Sequence, residues 1–232
     1  MFHLIRLEFK KFKLGWFVKG AILANIIILS FLCIIPVVER SEGTEMFKDV
    51  TEIFTISGAC VRGVFIVFAG VLISKMIIQE FRNRTILIMF SYPINRKKIL
   101  SAKLILIVWM TFIAMAISHI VVIFGFIGLN QIFHLTPAIS LTSNDVLAEI
   151  IIVIMFSLTT SVAALIPLYF GMRKYSTPAT IISSLLIVSV TCQSIGPNFS
   201  LASIIYIPLA LALIALSFVV LAIRNIDHID LD

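Results

Sequence analysis

Residues 79–103 read QEFRNRTILIMFSYPINRKKILSAK and lie between two long apolar runs. The stretch holds Arg82, Arg84, Arg96, Lys97, Lys98 and Lys103 against one acid, Glu80. Charge packed this densely between apolar segments is read as an aqueous surface flanked by membrane. The rest of the chain agrees: 60% of its 232 residues are hydrophobic and 13% charged, with mean hydropathy +1.13. Soluble domains are about 45–50% apolar and about 25% charged, so composition points to an all-α polytopic membrane protein. The net charge of +6 does not indicate nucleic-acid binding. The cations sit beside apolar segments, where they meet anionic lipid or set orientation. Cys33, Cys60 and Cys192 are isolated, with no CxxC or Cys/His cluster, which argues against a metal or disulfide framework.

Outward from the central stretch, the chain is expected to cross the membrane six times as a single domain, residues 1–232. Over 1–17, Phe2, Ile5, Phe9, Phe12 and Trp16 step by three or four while Arg6, Lys10 and Lys13 share another face. That pattern predicts an amphipathic helix in the interface plane. Spans are expected at 20–38, 58–78, 104–129, 146–169, 177–191 and 202–223, with 79–103 as the loop between the second and third. The run from Gly20 is too long for the core of a cleaved leader and no small-residue cleavage site follows it. Residues 38–57 are acidic, carrying Glu39, Glu42, Glu45, Asp49 and Glu52. With this topology only Arg40, Lys48 and Arg62 of the 18 Lys and Arg fall on the outer side. The asymmetry predicts a cell-membrane protein with both termini cytoplasmic. Arg62 and Lys75, near the ends of the second span, are expected to snorkel to headgroups. Gln193, Gly196, Pro197 and Asn198 interrupt the apolar pattern and predict an outer loop or a shielded re-entrant turn.

Catalytic signals are missing. There is no phosphate loop of the GxxxxGK[ST] type, no HExxH, no GxSxG and no carboxylate pair inside a span. The chain is therefore read as a non-enzyme that binds no cofactor or metal of its own. His119 is the one ionisable side chain near the middle of an expected span, and ion-coupled carriers need such groups. Asn25, Ser157, Thr160 and Ser183, with His119, are candidate linings of a passage. Interhelical hydrogen bonding and close packing are the competing reading for each.

Within the central stretch, residues 80–89 can form a short helix along the inner interface, and Pro93 breaks it. Asn95 is a suitable cap for a helix that carries Arg96, Lys97 and Lys98 in its first turn and runs on into the third span. Cations at a helix N-terminus oppose the macrodipole, so they call for an orientation signal, anionic lipid or an acidic partner.

Glu80, Thr85 five residues on, Pro93 eight further, Arg96 three later and Lys103 seven later resemble the loop between the second and third spans of ABC-2 type transporter permeases. Arg84 and Ala102 stand where that loop often has glycine. The amphipathic start, the six spans and the polar break before the last one extend the resemblance over most of the chain. It implies a cytoplasmic coupling helix in 79–103 that docks against a separate ATP-binding subunit, which would supply ATP and Mg. It also implies a second permease, identical or related. Carried over, Glu80, Arg82, Thr85, Pro93 and Arg96 become ATPase-docking residues: Glu80 and the arginines for polar contacts, Thr85 for local backbone hydrogen bonding, Pro93 for the bend. Small permeases of that class without a large outer domain include exporters of antimicrobial peptides and bacteriocin-immunity proteins. An amphipathic peptide or hydrophobic drug is therefore the expected passenger. With 19 Phe but 2 Trp and 4 Tyr, the chain lacks the aromatic faces of a sugar passage. The rival readings are an ATP-independent carrier or channel and a non-transporting scaffold or sensor.

Overall fold

The computed structural model describes residues 14–42, 50–83, 96–133, 143–192 and 206–225, and every regular element among them is helical. In order they are α1 (Leu14–Glu42), α2 (Val50–Ile73), a π turn (Ser74–Ile78), α3 (Gln79–Arg82), α4 (Arg96–Phe133), α5 (Ser143–Ala163), α6 (Ile166–Lys174), α7 (Thr177–Thr191) and α8 (Tyr206–Asn225). Five stretches are long and apolar enough to cross a membrane: Gly15–Pro36, Glu52–Arg82, Lys97–Phe133, Glu149–Arg173 and Tyr206–Arg224. α7 is the sixth apolar helix, with 15 residues. At 1.5 Å per residue it is about 22 Å long, less than the roughly 30 Å hydrocarbon core. The chain is thus an all-α polytopic membrane protein of about six helices. The interface helix expected over 1–17 falls, up to residue 13, outside the described residues. So do the middle of the central loop, 84–95, and the polar break from 193.

The expected second span is part of a longer unit. Its helix begins at Val50, with Glu52 in the first turn where the macrodipole favours an acid. It then runs without a break through the π turn into α3. This unit is the axis of the bundle, with 56% of its most apolar window buried, against 17% for the first span and 22% for the last. Val61, Phe65, Ile66, Ala69, Leu72 and Ile73 are fully enclosed, packed with Leu32 of α1 and with Ile107, Met115 and Phe126 of α4. The outer faces of α1, α4 and α8 expose rows of Ile, Leu and Phe, as helices bordering lipid do.

Pro167 divides the fourth expected span. With no N–H, and with a ring that crowds the carbonyl four residues back, it ends α5 at Ala163. Leu165 N–H donates to Val162 O at 3.0 Å and Leu168 N–H to Leu165 O at 3.0 Å, tightening the chain through the break. α6 then takes Pro167 in its first turn, where the missing donor costs nothing. It ends at Tyr175, which has φ 45°. A left-handed non-glycine residue is strained by roughly 1–2 kcal/mol. Its ring stacks on Phe81 of α3, centroids 5.7 Å apart and planes 17° from parallel, a contact that glycine could not make.

Small residues let α2, α6 and α7 approach closely. A Cβ on Gly70 would lie 2.9 Å from Ser184 Cβ, and one on Gly171 would overlap Thr180 Oγ1 and sit 2.9 Å from Ile78 Cδ1. Gly171→Ala is therefore expected to destabilise the chain by about 1–3 kcal/mol. Adding Thr180→Ala to remove the overlapping hydroxyl should recover part of the loss. Thermal unfolding of the detergent-solubilised chain checks this, and an unchanged melting point for Gly171→Ala would contradict the packing described.

The alternating course of the helices collects Lys19, Lys75, Arg82, Lys97, Lys98, Arg173 and Arg224 at one end of the bundle. Glu52 and Glu149 lie toward the other. We call these the basic end and the far end.

Candidate functional site

The most constrained polar contact at the basic end joins α3 to α4. Lys103, in the first quarter of α4, is 1% exposed. Its ammonium pairs with Glu80 Oε2 and donates to the Met76 carbonyl at 3.2 Å. An isolated buried ammonium is very costly in an apolar setting, so its two oxygen partners fix where α4 meets the end of α2. The π turn supports this arrangement. Gln79 N–H donates to Ser74 O, five residues back, which widens the helix by one residue just before Glu80. Phe81, 3% exposed, faces the other way and lies under Tyr175. The segment that leads into 84–95 is thus clamped on one side by an ion pair and on the other by a ring stack.

Of the five residues read as docking positions, Glu80 is held within the chain by Lys103. Arg82 is exposed at the end of α3. Arg96 is the first residue of α4, and Thr85 and Pro93 lie outside the described residues. The expectation of a separate helix over 80–89 meets a different arrangement at its start. Gln79–Arg82 continues the axis of α2 instead of leaving it. Lys75 is exposed, with its ammonium 3.6 Å from the centre of the Trp16 ring, a cation–π contact at the membrane boundary.

The five candidate passage residues are not brought to one place. Asn25 lines a groove of about 480 Å³ between α1 and α4, with Phe17, Ala21, Leu29, Ile117 and Ser118. Its Oδ1 has no hydrogen-bond partner among the described residues. Ser183 is buried in α7 and its hydroxyl donates to Thr180 O at 2.9 Å, satisfied within its own helix. Ser157 and Thr160 are fully buried on α5, and both hydroxyl oxygens lack a partner among the described residues. His119, 3% exposed on α4, likewise leaves Nε2 without one.

Arg62 departs from expectation. Instead of snorkelling to the headgroups it is 4% exposed and turned into the bundle. Its guanidinium carbon lies 4.4 Å from the centre of the Phe156 ring. A Cβ built on Gly58 would be 3.3 Å from His119 Cε1 and 3.9 Å from an Arg62 terminal nitrogen, so both side chains meet beside that glycine. Arg62 and Glu149 also interact electrostatically. The cation–π contact and the acid explain the inward turn: together they replace part of the hydration that a surface position would give. The sequence carries a signal, a lone arginine four residues after Gly58 and so on the same helix face, but not the helix rotation that turns it inward.

A bundle of about six apolar helices, with most cations of the described residues gathered at one end and its two central helices tied together there, defines a multi-pass membrane protein. The chain belongs to the ABC-2 family of transporter proteins, whose family profile, described as "ABC-2 family transporter protein", matches residues 4–190. It is 45% identical over 228 residues to the uncharacterized protein YcbO of Bacillus subtilis (strain 168), a match that covers 98% of this chain and 99% of that one. No solved structure matches it. Permeases of this family are transport subunits, not catalysts, and work with an ATP-binding subunit.

Proposed function

We propose that this permease exports an amphipathic passenger, an antimicrobial peptide or a hydrophobic drug, using ATP bound with Mg and hydrolysed by a separate subunit that docks on 79–103. The observation that carries the docking reading is the clamp formed by Lys103, Glu80 and the Met76 carbonyl. It makes the two ends of the loop, α3 and the start of α4, part of one rigid corner. A displacement of the loop is then passed to α2 and α4, the helices at the centre of the bundle, as helix shifts do in other switching proteins. In this reading Arg82, Thr85, Pro93 and Arg96 shape or contact the ATPase groove, and Glu80 holds the corner that presents them. A second permease, identical or related, completes the pathway, and both termini face the cytoplasm, where the basic end would lie.

The passenger class rests on the apolar linings. The groove that contains Asn25 is walled almost entirely by hydrocarbon, with the Asn25 amide and the Ser118 hydroxyl as its polar side chains, which suits a largely apolar molecule with few polar groups. The test is affinity capture of the tagged chain, gently extracted from its native membrane, followed by identification of what is retained. A Walker-type ATPase is expected, lost from a chain carrying Arg82→Glu and Arg96→Glu. Capture of an intact permease with no ATPase would overturn the docking reading. The passenger is tested separately, by tolerance of sensitive cells to cationic peptides when the complex is expressed. Unchanged tolerance across the set would remove the peptide reading.

A further inference from the structure

A second groove of about 480 Å³ opens on the apolar outer surface of the bundle between α4, α5 and α8. Its wall is hydrocarbon: Leu104, Val108, Trp109 and Phe112 of α4, Val162 of α5 and Val219 of α8 belong to it. On α4 it runs from Ser101 to Phe112, so at 1.5 Å per residue it is about 16 Å long and follows the helix axis. That length is more than half of one leaflet-to-leaflet hydrocarbon thickness of roughly 30 Å. A groove of this shape would hold one extended acyl chain.

The charge at its mouth makes the groove selective. Ser101 and Ile223 mark its basic end. Lys98 stands three residues before Ser101, on the same helical stripe, and is exposed. Ser101 donates its hydroxyl to the Lys98 carbonyl at 3.1 Å, which ties that turn of α4 together. Arg224 follows Ile223 directly on α8 and is also exposed. Two cations on two different helices therefore flank the open end of one apolar slot, and no acid of the described residues lies on either helix within a turn of them. Lys97 adds a third positive charge to the same turn of α4.

We infer that this groove is a binding site for one anionic glycerophospholipid, with an acyl chain lying along Val108, Trp109 and Phe112 and the phosphodiester headgroup held between Lys98 and Arg224. Charge complementarity selects this occupant over a zwitterionic lipid, and the groove form, lined by residues of three helices, selects it over the diffuse annulus. The site is independent of the transport reading, since it needs only a bilayer.

Trp109 is itself the reporter. The chain has 2 Trp, so Trp16→Phe leaves Trp109 as the only indole. The full chain carrying Trp16→Phe is reconstituted into phosphatidylcholine vesicles with a small fraction of lipid brominated on its acyl chains, either phosphatidylglycerol or phosphatidylcholine. Bromine quenches an indole only on contact. Brominated phosphatidylglycerol is expected to quench Trp109 at severalfold lower mole fraction, by about fivefold for each cation engaged. Lys98→Gln with Arg224→Gln should bring the two curves together, and both positions are exposed, so the fold is expected to tolerate the change. Equal quenching by the two lipids in the unaltered site would overturn the proposal in favour of an ordinary annulus. An indole that neither lipid quenches would overturn it in favour of a protein surface, such as a second copy, seated in the groove.

Discussion

Glu80→Ala is expected to destabilise the folded chain by about 3 kcal/mol or more, although the position lies two residues from the exposed Arg82. The reason is its partner. Lys103 is 1% exposed, and removing the carboxylate takes away the opposite charge that its ammonium faces, leaving the Met76 carbonyl as a neutral acceptor. Breaking a buried pair by removing one member typically costs about 3–5 kcal/mol, because the remaining charge is stranded. Removing both members is a different experiment. Glu80→Gln with Lys103→Met replaces the pair by groups of similar size with no net charge, and such replacements are often close to neutral. The double variant should melt near the parent and well above Glu80→Ala. Thermal unfolding in detergent, with surface abundance as a second readout, decides it. If Glu80→Ala melts with the parent, the pair does not hold the corner.

Arg82→Glu carries the second large effect, on function and not on folding. Arg82 is exposed at the tip of α3, so reversing its charge removes no buried contact, and the amount of chain in the membrane should stay as it was. If an acidic groove of an ATPase receives this end of the bundle, the reversal places like charges in contact, at a cost of several kcal/mol. A loss of that size lowers export by more than about tenfold. Arg96→Glu, at the first turn of α4, is expected to act in the same direction. The pair of measurements is export and ATP hydrolysis in the same membranes: uncoupling shows as hydrolysis that no longer follows the passenger. Full export by Arg82→Glu, at normal abundance, would mean that the docking surface lies elsewhere. Glu80→Ala is the poorer probe of docking, since its loss of function would follow from the broken corner alone.

The helical class and the approximate positions of the apolar helices could be read from the sequence because membrane insertion imposes a strong and simple pattern, long apolar runs between charged ends. The finer events could not. Nothing in the hydropathy of residues 58–78 marks a π turn, since Ser74–Ile78 is as apolar as its surroundings and the extra residue is a matter of backbone register. Pro167 was visible, but a proline in an apolar run signals either a kink or a full break, and only the packing of α6 against α7 and α8 decides between them. Lys103 and Glu80 were both noted, and a spacing of more than twenty residues gave no reason to pair them. Arg62 was read from its distance to the span end, whereas its direction depends on which face of α2 meets Phe156 and His119. The candidate passage residues stand out by polarity, and polarity does not tell a hydroxyl satisfied within its own helix, as at Ser183, from one with no partner among the described residues, as at Thr160.

The π turn also has a meaning for how this helix tolerates length changes. Each residue of an α-helix advances the chain by 100° about its axis, and a π turn absorbs one surplus residue without unwinding the rest. Ser74–Ile78 therefore acts as a phase adjuster. Everything before it, down to Gly58 and Arg62, keeps its orientation toward the interior, while everything after it is rotated as a block. Closing the turn to an ordinary α form with all its residues kept would swing Glu80 by about a quarter of a turn away from Lys103 and take Phe81 off Tyr175, whereas deleting one residue within the turn would restore the α form with both still on their partners. Insertions and deletions elsewhere in α2 would misplace the whole interior face; here one residue can be lost while the packing of the span and the aim of the chain that leaves it are both kept.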